Sequence, residues 1–216
     1  MPPWREFDTG HLLVSLVPNM VEQARFAAET DAHSYRDFKV GAAVLAVNDV
    51  THETAVITAG NLKSRHKAKV CAERKALQQA RKIGYTQAAS IVVAGTTDAE
   101  LIREVTGVAT PTLHPCGECQ NMFDSHPLMR DDTLIITTGL EDDIYQVHNF
   151  VELKGLYSIA DLSVLETQEG GLHDFSNWEQ RVALYGHMRY LEQRFPVEER
   201  RSSSKMAQLA LVADIS

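Results

Sequence analysis

All three cysteines of this 216-residue chain fall in two short segments, Cys71-Ala72-Glu73-Arg74 and Pro115-Cys116-Gly117-Glu118-Cys119. Cys116 and Cys119 are three apart, so a helix opening there places both thiolates on its first turn, facing one point. Cys71 opens a second predicted helix, with an acidic residue two positions on. Three thiolates around Zn²⁺ leave the fourth tetrahedral position open, as in a catalytic site rather than a closed structural one. Other readings fit a lone C-x-x-C: a redox pair, or half of a structural zinc knuckle. A second pair is absent, which excludes a four-cysteine ribbon, while a histidine could complete a closed site of three cysteines and one histidine. Buried free cysteines acting as small hydrophobes are the bland reading, and it leaves unexplained why none lies outside a motif.

The chain is long enough for one good core and an appended piece. Lys plus Arg number 21 and Asp plus Glu 29, a net charge of −8. An acidic chain binds polyanions poorly, so long nucleic acid is not the expected substrate. The apolar run Leu12 to Val17 is too short to span a membrane and lacks a small-residue cleavage pattern, so neither a membrane span nor a leader is expected. Thiolate chemistry with an odd cysteine count suits a reducing cytoplasm.

Periodicity predicts an amphipathic helix over Val21 to Ala32, with Phe26 among its apolar residues. Lys39 to Val47 reads as an apolar strand in which Gly41 permits a close backbone approach. Asn48-Asp49 turns the chain into a second strand, Thr54 to Thr58, and Gly60-Asn61 begins a loop. A dense basic run, Lys63 to Lys69, directly precedes Cys71 and is a candidate pocket rim. Cys71 to Ile83 reads as a helix, and Ala89 to Gly95 as a strand buried on both faces. The long connection Thr96 to Leu113 holds a short helix at Ala99 to Val105. A second helix start at Cys116 and a strand at Thr133 to Thr138 follow. The β-β-α-β-α-β order implies an α/β fold, a three-layer α/β/α sandwich on a mixed sheet. Beyond Gly170-Gly171, Trp178, Val182, Tyr185, Met188 and Leu191 recur at helical spacing over Asn177 to Phe195. Ala207 to Ile215 reads as a last short helix. The expected division is a catalytic domain at 18–155 and a largely helical C-terminal extension at 156–216.

Together, the two cysteine motifs resemble those of the cytidine deaminases, the small zinc-dependent nucleoside deaminases. The resemblance covers roughly residues 18–150 and implies a hydrolytic deaminase of cytidine deaminase-like fold. Its cofactor is zinc, held by Cys71, Cys116 and Cys119. In such an enzyme Glu73 is the proton shuttle: it takes the water proton, protonates the ring nitrogen and then protonates the leaving amino group. Arg74 donates hydrogen bonds to the thiolates and withdraws electron density from an electron-rich zinc. Phe38, at the entry Tyr35-Arg36-Asp37-Phe38, lines the nucleoside pocket, and Ala72 joins the substrate-contacting set. The expected partner is a small amino-pyrimidine substrate such as cytidine or deoxycytidine, processed in pyrimidine salvage by a homo-oligomer, dimer or tetramer.

Several positions depart from the family pattern. An N-x-E whose Asn and Glu bind the ribose hydroxyl is represented by Asn61-Leu62-Lys63, so a lysine replaces the carboxylate. Gln120-Asn121 stands where Arg-Gln is usual, and His114 where a small hydroxyl residue is usual. The Cys71-to-Cys116 interval implies an insertion near the site. A carboxylate accepts from hydroxyls, whereas an ammonium only donates and attracts anions. The alternatives are therefore a deaminase of a modified or charged analogue, a nucleotide or an antibiotic such as blasticidin S, and a non-catalytic zinc-stapled interaction module.

Overall fold

In the computed structural model of this protein the described residues are 9–34, 38–63, 69–106, 110–142, 144–151, 153 and 154. The first helix, α1, runs Thr9–Thr30. It starts well before Val21 and carries Pro18 in its interior, where the sequence alone argues for a break. Burial decides otherwise. Val17, Met20, Val21, Ala24, Ala27 and Ala28 form one buried stripe, and Pro18 lies on the exposed side. Phe26, assigned to the apolar face, is 66% exposed.

Strand β1 (His33–Ser34) is followed by the hairpin of β2 (Gly41–Val47) and β3 (Thr54–Gly60), so Gly60 closes a strand rather than opening a loop. A two-residue strand, β4 (Leu62–Lys63), pairs parallel with β1. Then come α2 (Ala72–Lys82), β5 (Gln87–Gly95), α3 (Ala99–Thr106), α4 (Gly117–Ser125), β6 (Leu134–Gly139) and β7 (Tyr145–Asn149). The main sheet has the order β3-β2-β5-β6-β7. Only β5 and β6 run parallel, so the sheet is mixed as expected. Every residue of β5 is buried.

Two cores flank this sheet. Ala43, Leu45, Val92 and Ala94 face the α1 stripe. Ala42, Val44, Ile91 and Val93 face Ala76, Leu77, Ile102 and Phe123 of α2, α3 and α4. The alternation of β2 and β5 side chains between the two cores makes a three-layer α/β/α sandwich. The close approach expected at Gly41 is present: a Cβ there would lie 1.8 Å from the Ala24 carbonyl oxygen. Strand β7 was not anticipated, because buried Gln146 and His148 interrupt its apolar pattern. No helix among the described residues is long and apolar enough to cross a membrane. The C-terminal extension, with its two predicted helices, lies outside the described residues.

Candidate metal centre and pocket

Each cysteine motif opens a helix. Cys71 is the N-cap of α2 and Cys116 that of α4, both in extended backbone conformation, and neither side chain caps its own helix. Their thiols are thus left for other chemistry, while two helix N-termini direct N–H groups and partial positive charge toward them. The Cys119 N–H donates to the Cys116 carbonyl at 2.8 Å, which winds the first turn and brings the second thiol round to the first. The three sulfurs lie within 4.8 Å of one another, and Cys71 Sγ and Cys116 Sγ are 3.6 Å apart. A tetrahedral zinc with Zn–S bonds of about 2.3 Å sets its sulfurs about 3.8 Å apart. The donor set and its spacing therefore fit zinc. Among the described residues no histidine nitrogen joins this cluster, so the alternative of a closed site completed by histidine gains nothing from the geometry.

The electrostatics point the same way. Hydrogen bonds from the Cys119 and Cys71 thiols hold Cys116 down to about 2, as a thiolate. Its hydrogen bond to Cys116 pushes Cys71 up to about 12, and the hydrogen bonds with Cys116 and Cys71 push Cys119 up as well. Positive charge comes from Lys69. Burial pulls its ammonium down, but Cys116, Cys71, Glu118 and Cys119 outweigh burial and raise it. The Nε of Arg74 is buried without a hydrogen-bond partner, and none of the hydrogen bonds among the described residues joins it to a cysteine.

Glu73 sits on the first turn of α2 and is 3% exposed. Its Oε2 is buried with no hydrogen-bond partner. Burial pushes the carboxyl up to about 7, against the pull of its own helix N–H, and the Cys116 charge adds to the rise. A carboxyl left unsatisfied in a core is costly unless something absent from the protein alone meets it.

These groups border a pocket open to solvent, with about 410 Å³ of empty space when the open solvent at its mouth is included. Phe38, Asn61, Lys63 and Ala72, the four positions expected to contact substrate, all reach it, with Cys71, Glu73 and Cys116. Cys119 lies behind, fully buried. Asn61 is largely occupied by the backbone. Its Oδ1 accepts from the Val40 N–H at 3.0 Å and its Nδ2 donates to the Phe38 carbonyl at 2.9 Å, bolting that segment to the end of β3. Lys63 places its ammonium 5.7 Å from the centroid of the Phe38 ring, a cation–π distance. Sequence reasoning missed Val105, Leu113 and His114, which close one wall. The insertion before Cys116 was their signal, since it is the segment that carries them.

The family model described as the cytidine and deoxycytidylate deaminase zinc-binding region matches residues 17–127. Among solved structures, a cytidine deaminase from Burkholderia pseudomallei is 28% identical, with 63% of this chain and 94% of that one covered and a TM-score of 0.49. A cytidine deaminase from Mycobacterium tuberculosis is 20% identical, with 68% and 98% covered and a TM-score of 0.46. None of the curated proteins compared matches this chain.

Proposed function

The chain belongs to the cytidine and deoxycytidylate deaminase family of zinc-dependent hydrolytic enzymes, and from that premise we propose that it releases ammonia from a small amino-pyrimidine nucleoside such as cytidine or deoxycytidine. Glu73 is the observation that carries this reading: a buried carboxyl with an orphaned oxygen beside three sulfurs spaced for zinc. A zinc staple in an interaction module has no use for such a group, which weighs against that alternative.

Cys71, Cys116 and Cys119 would hold the metal. Bound there, zinc makes water acidic enough to serve as a nucleophile near neutral pH. Glu73 takes one proton from water and passes it to the ring nitrogen. It then takes the second from the hydroxyl now on the ring carbon and gives it to the amino group, which departs as ammonia while the carbonyl forms. A carboxyl held near 7 can both accept and return that proton. Phe38 and the apolar wall around Leu113 pack the base and exclude water. Asn61 spends its oxygen and one N–H on the backbone and keeps a second N–H for a sugar hydroxyl oxygen. The family resemblance further supports a homo-oligomer, dimer or tetramer, working in pyrimidine salvage. The three thiol ligands suit a reducing cytoplasm.

A second reading, a substrate with an anionic or acceptor group near the sugar, is favoured by Lys63 and Lys69. Both line the pocket, where Glu73 is the only acid among the described lining residues. A panel of cytidine, deoxycytidine, their phosphates and charged nucleoside analogues, followed by ammonia release, tests both. Silence across the whole panel from zinc-loaded protein sinks the deaminase reading. Lys63→Glu should raise kcat/KM for cytidine and lower it for an anionic analogue, by about ten- to a hundredfold for hydrogen bonds to a charged group. If neither constant moves by more than about twofold, Lys63 does not read the substrate.

A further inference from the structure

Strand β7 carries a polar network into the core behind the metal loop. Gln146 Oε1 meets His114 Nε2 at 2.8 Å. The same oxygen accepts from Thr112 Oγ1, which lies 2.6 Å from Thr137 Oγ1 on β6. The His148 ring packs edge-on against His114, centroids 5.3 Å apart. All five residues are at most 2% exposed. Burying polar groups is costly unless they are hydrogen-bonded, and the bonds that Gln146 Oε1 makes with His114 and Thr112 hold those side chains in one geometry. Of these five residues His114 is the one that lines the pocket, together with Leu113 and Cys116.

We infer that His114 is a specificity-determining wall of the substrate pocket, and that Gln146 is the residue that positions it. An amide oxygen only accepts, so Nε2 carries the proton and the ring cannot turn without losing that bond. The edge-on contact with His148 fixes the plane from a second direction. A held ring sets the room left for a substituent on the pyrimidine, whereas a loose one would yield to it. Fixed geometry of this kind separates substrates that differ by one bulky group. Neither residue is a sulfur ligand or the proton-carrying Glu73, so size selection is separable by substitution from metal binding and proton transfer. The inference rests on the deaminase reading above.

A double-mutant cycle tests it on the zinc-loaded full chain, with Gln146→Leu, His114→Ser and the pair. Each variant is assayed for kcat and KM on cytidine and on a cytidine with a bulky ring substituent, for zinc per chain and for melting. His114→Ser should shift the kcat/KM ratio toward the bulky substrate by about tenfold or more. Gln146→Leu should shift it the same way, but add nothing in the His114→Ser background. Gln146→Glu, which keeps an accepting oxygen, should retain the original ratio. A merely structural glutamine would lower melting in both backgrounds and leave the ratio alone, and that result overturns the inference, as does an equal shift in both backgrounds. If the unaltered protein deaminates neither compound, the deaminase reading fails instead. The positioning claim is then decided by ¹⁵N-histidine NMR. A slowly exchanging Nε2 proton on His114 should be present in the unaltered protein and lost in Gln146→Leu, and its survival there overturns the claim.

Discussion

Glu73 combines three properties that a purely structural residue does not need: full burial, an unpaired oxygen and a carboxyl pKa raised to about 7 by burial. Glu73→Gln keeps shape and burial but cannot exchange protons. Zinc should remain at one per chain while turnover falls by at least the roughly 10²–10⁴-fold typical of general acid–base assistance. Activity within a few-fold of the unaltered protein would falsify the shuttle role. The same substitution tests the electrostatics. The folded pKa lies above the ordinary 4.5, so the stability Glu73 contributes is fully present below about pH 4.5 and is lost as pH rises through about 7. In metal-free protein, Glu73→Gln should melt like the parent at about pH 4 and above it at about pH 8. Equal melting at both pH values contradicts a raised carboxyl. The sulfur ligands and Glu73 were legible in the sequence because chemistry dictates their residue types and helix geometry their spacing. The orphaned Nε of Arg74 was not legible, because it depends on how α2 is turned against its neighbours, which local pattern does not encode. Asn61 was legible as a pocket residue but not as a backbone bolt, since that needs the Val40 and Phe38 backbone brought to its side chain.

At the level of elements, the clearest constraint is the contact between α1 and β2. A side chain at Gly41 would drive its Cβ to 1.8 Å from a helix carbonyl oxygen, and backbone cannot give way as a flexible side chain can. Gly41→Val should therefore destabilise the fold by about 3 kcal/mol or more, read from urea unfolding, because overpacking forces helix and sheet apart. A loss below about 1 kcal/mol would show that α1 shifts freely on the sheet. Strands β2, β3, β5 and β6 were legible as short apolar runs bounded by turn signals, and helices α2, α3 and α4 from good helix formers and the cysteine motifs that open two of them. The early start of α1 was not, because Pro18 mimics a stop unless the buried stripe around it is known. Strand β7 was hidden for the opposite reason. Gln146 and His148 look like loop residues until Thr112 and His114 are brought to the Gln146 amide oxygen and the His114 ring is packed against His148.

For the whole molecule, we propose the division into a catalytic domain at 18–155 and an extension at 156–216. The last described turn is anchored to the core: Lys154 pairs with Asp124 at 3.2 Å and lies 4.5 Å from the Phe150 ring centroid. The Trp178/Tyr185/Met188 stripe then argues that the extension packs on the domain or on a second copy. A chain ended at Ser163 should change its mass in solution or melt lower, and a chain unchanged in both shows the extension packs on neither. The central claim joins the three sulfurs, the buried carboxyl and the family's chemistry into one hydrolytic centre. Its most direct test is ammonia release from the best panel substrate, measured against zinc bound per chain as metal-free protein is reloaded. The account predicts no ammonia without zinc, a rise in proportion to bound zinc, and a plateau at one zinc per chain. Ammonia from the metal-free protein, or one zinc per chain with no ammonia, would contradict it.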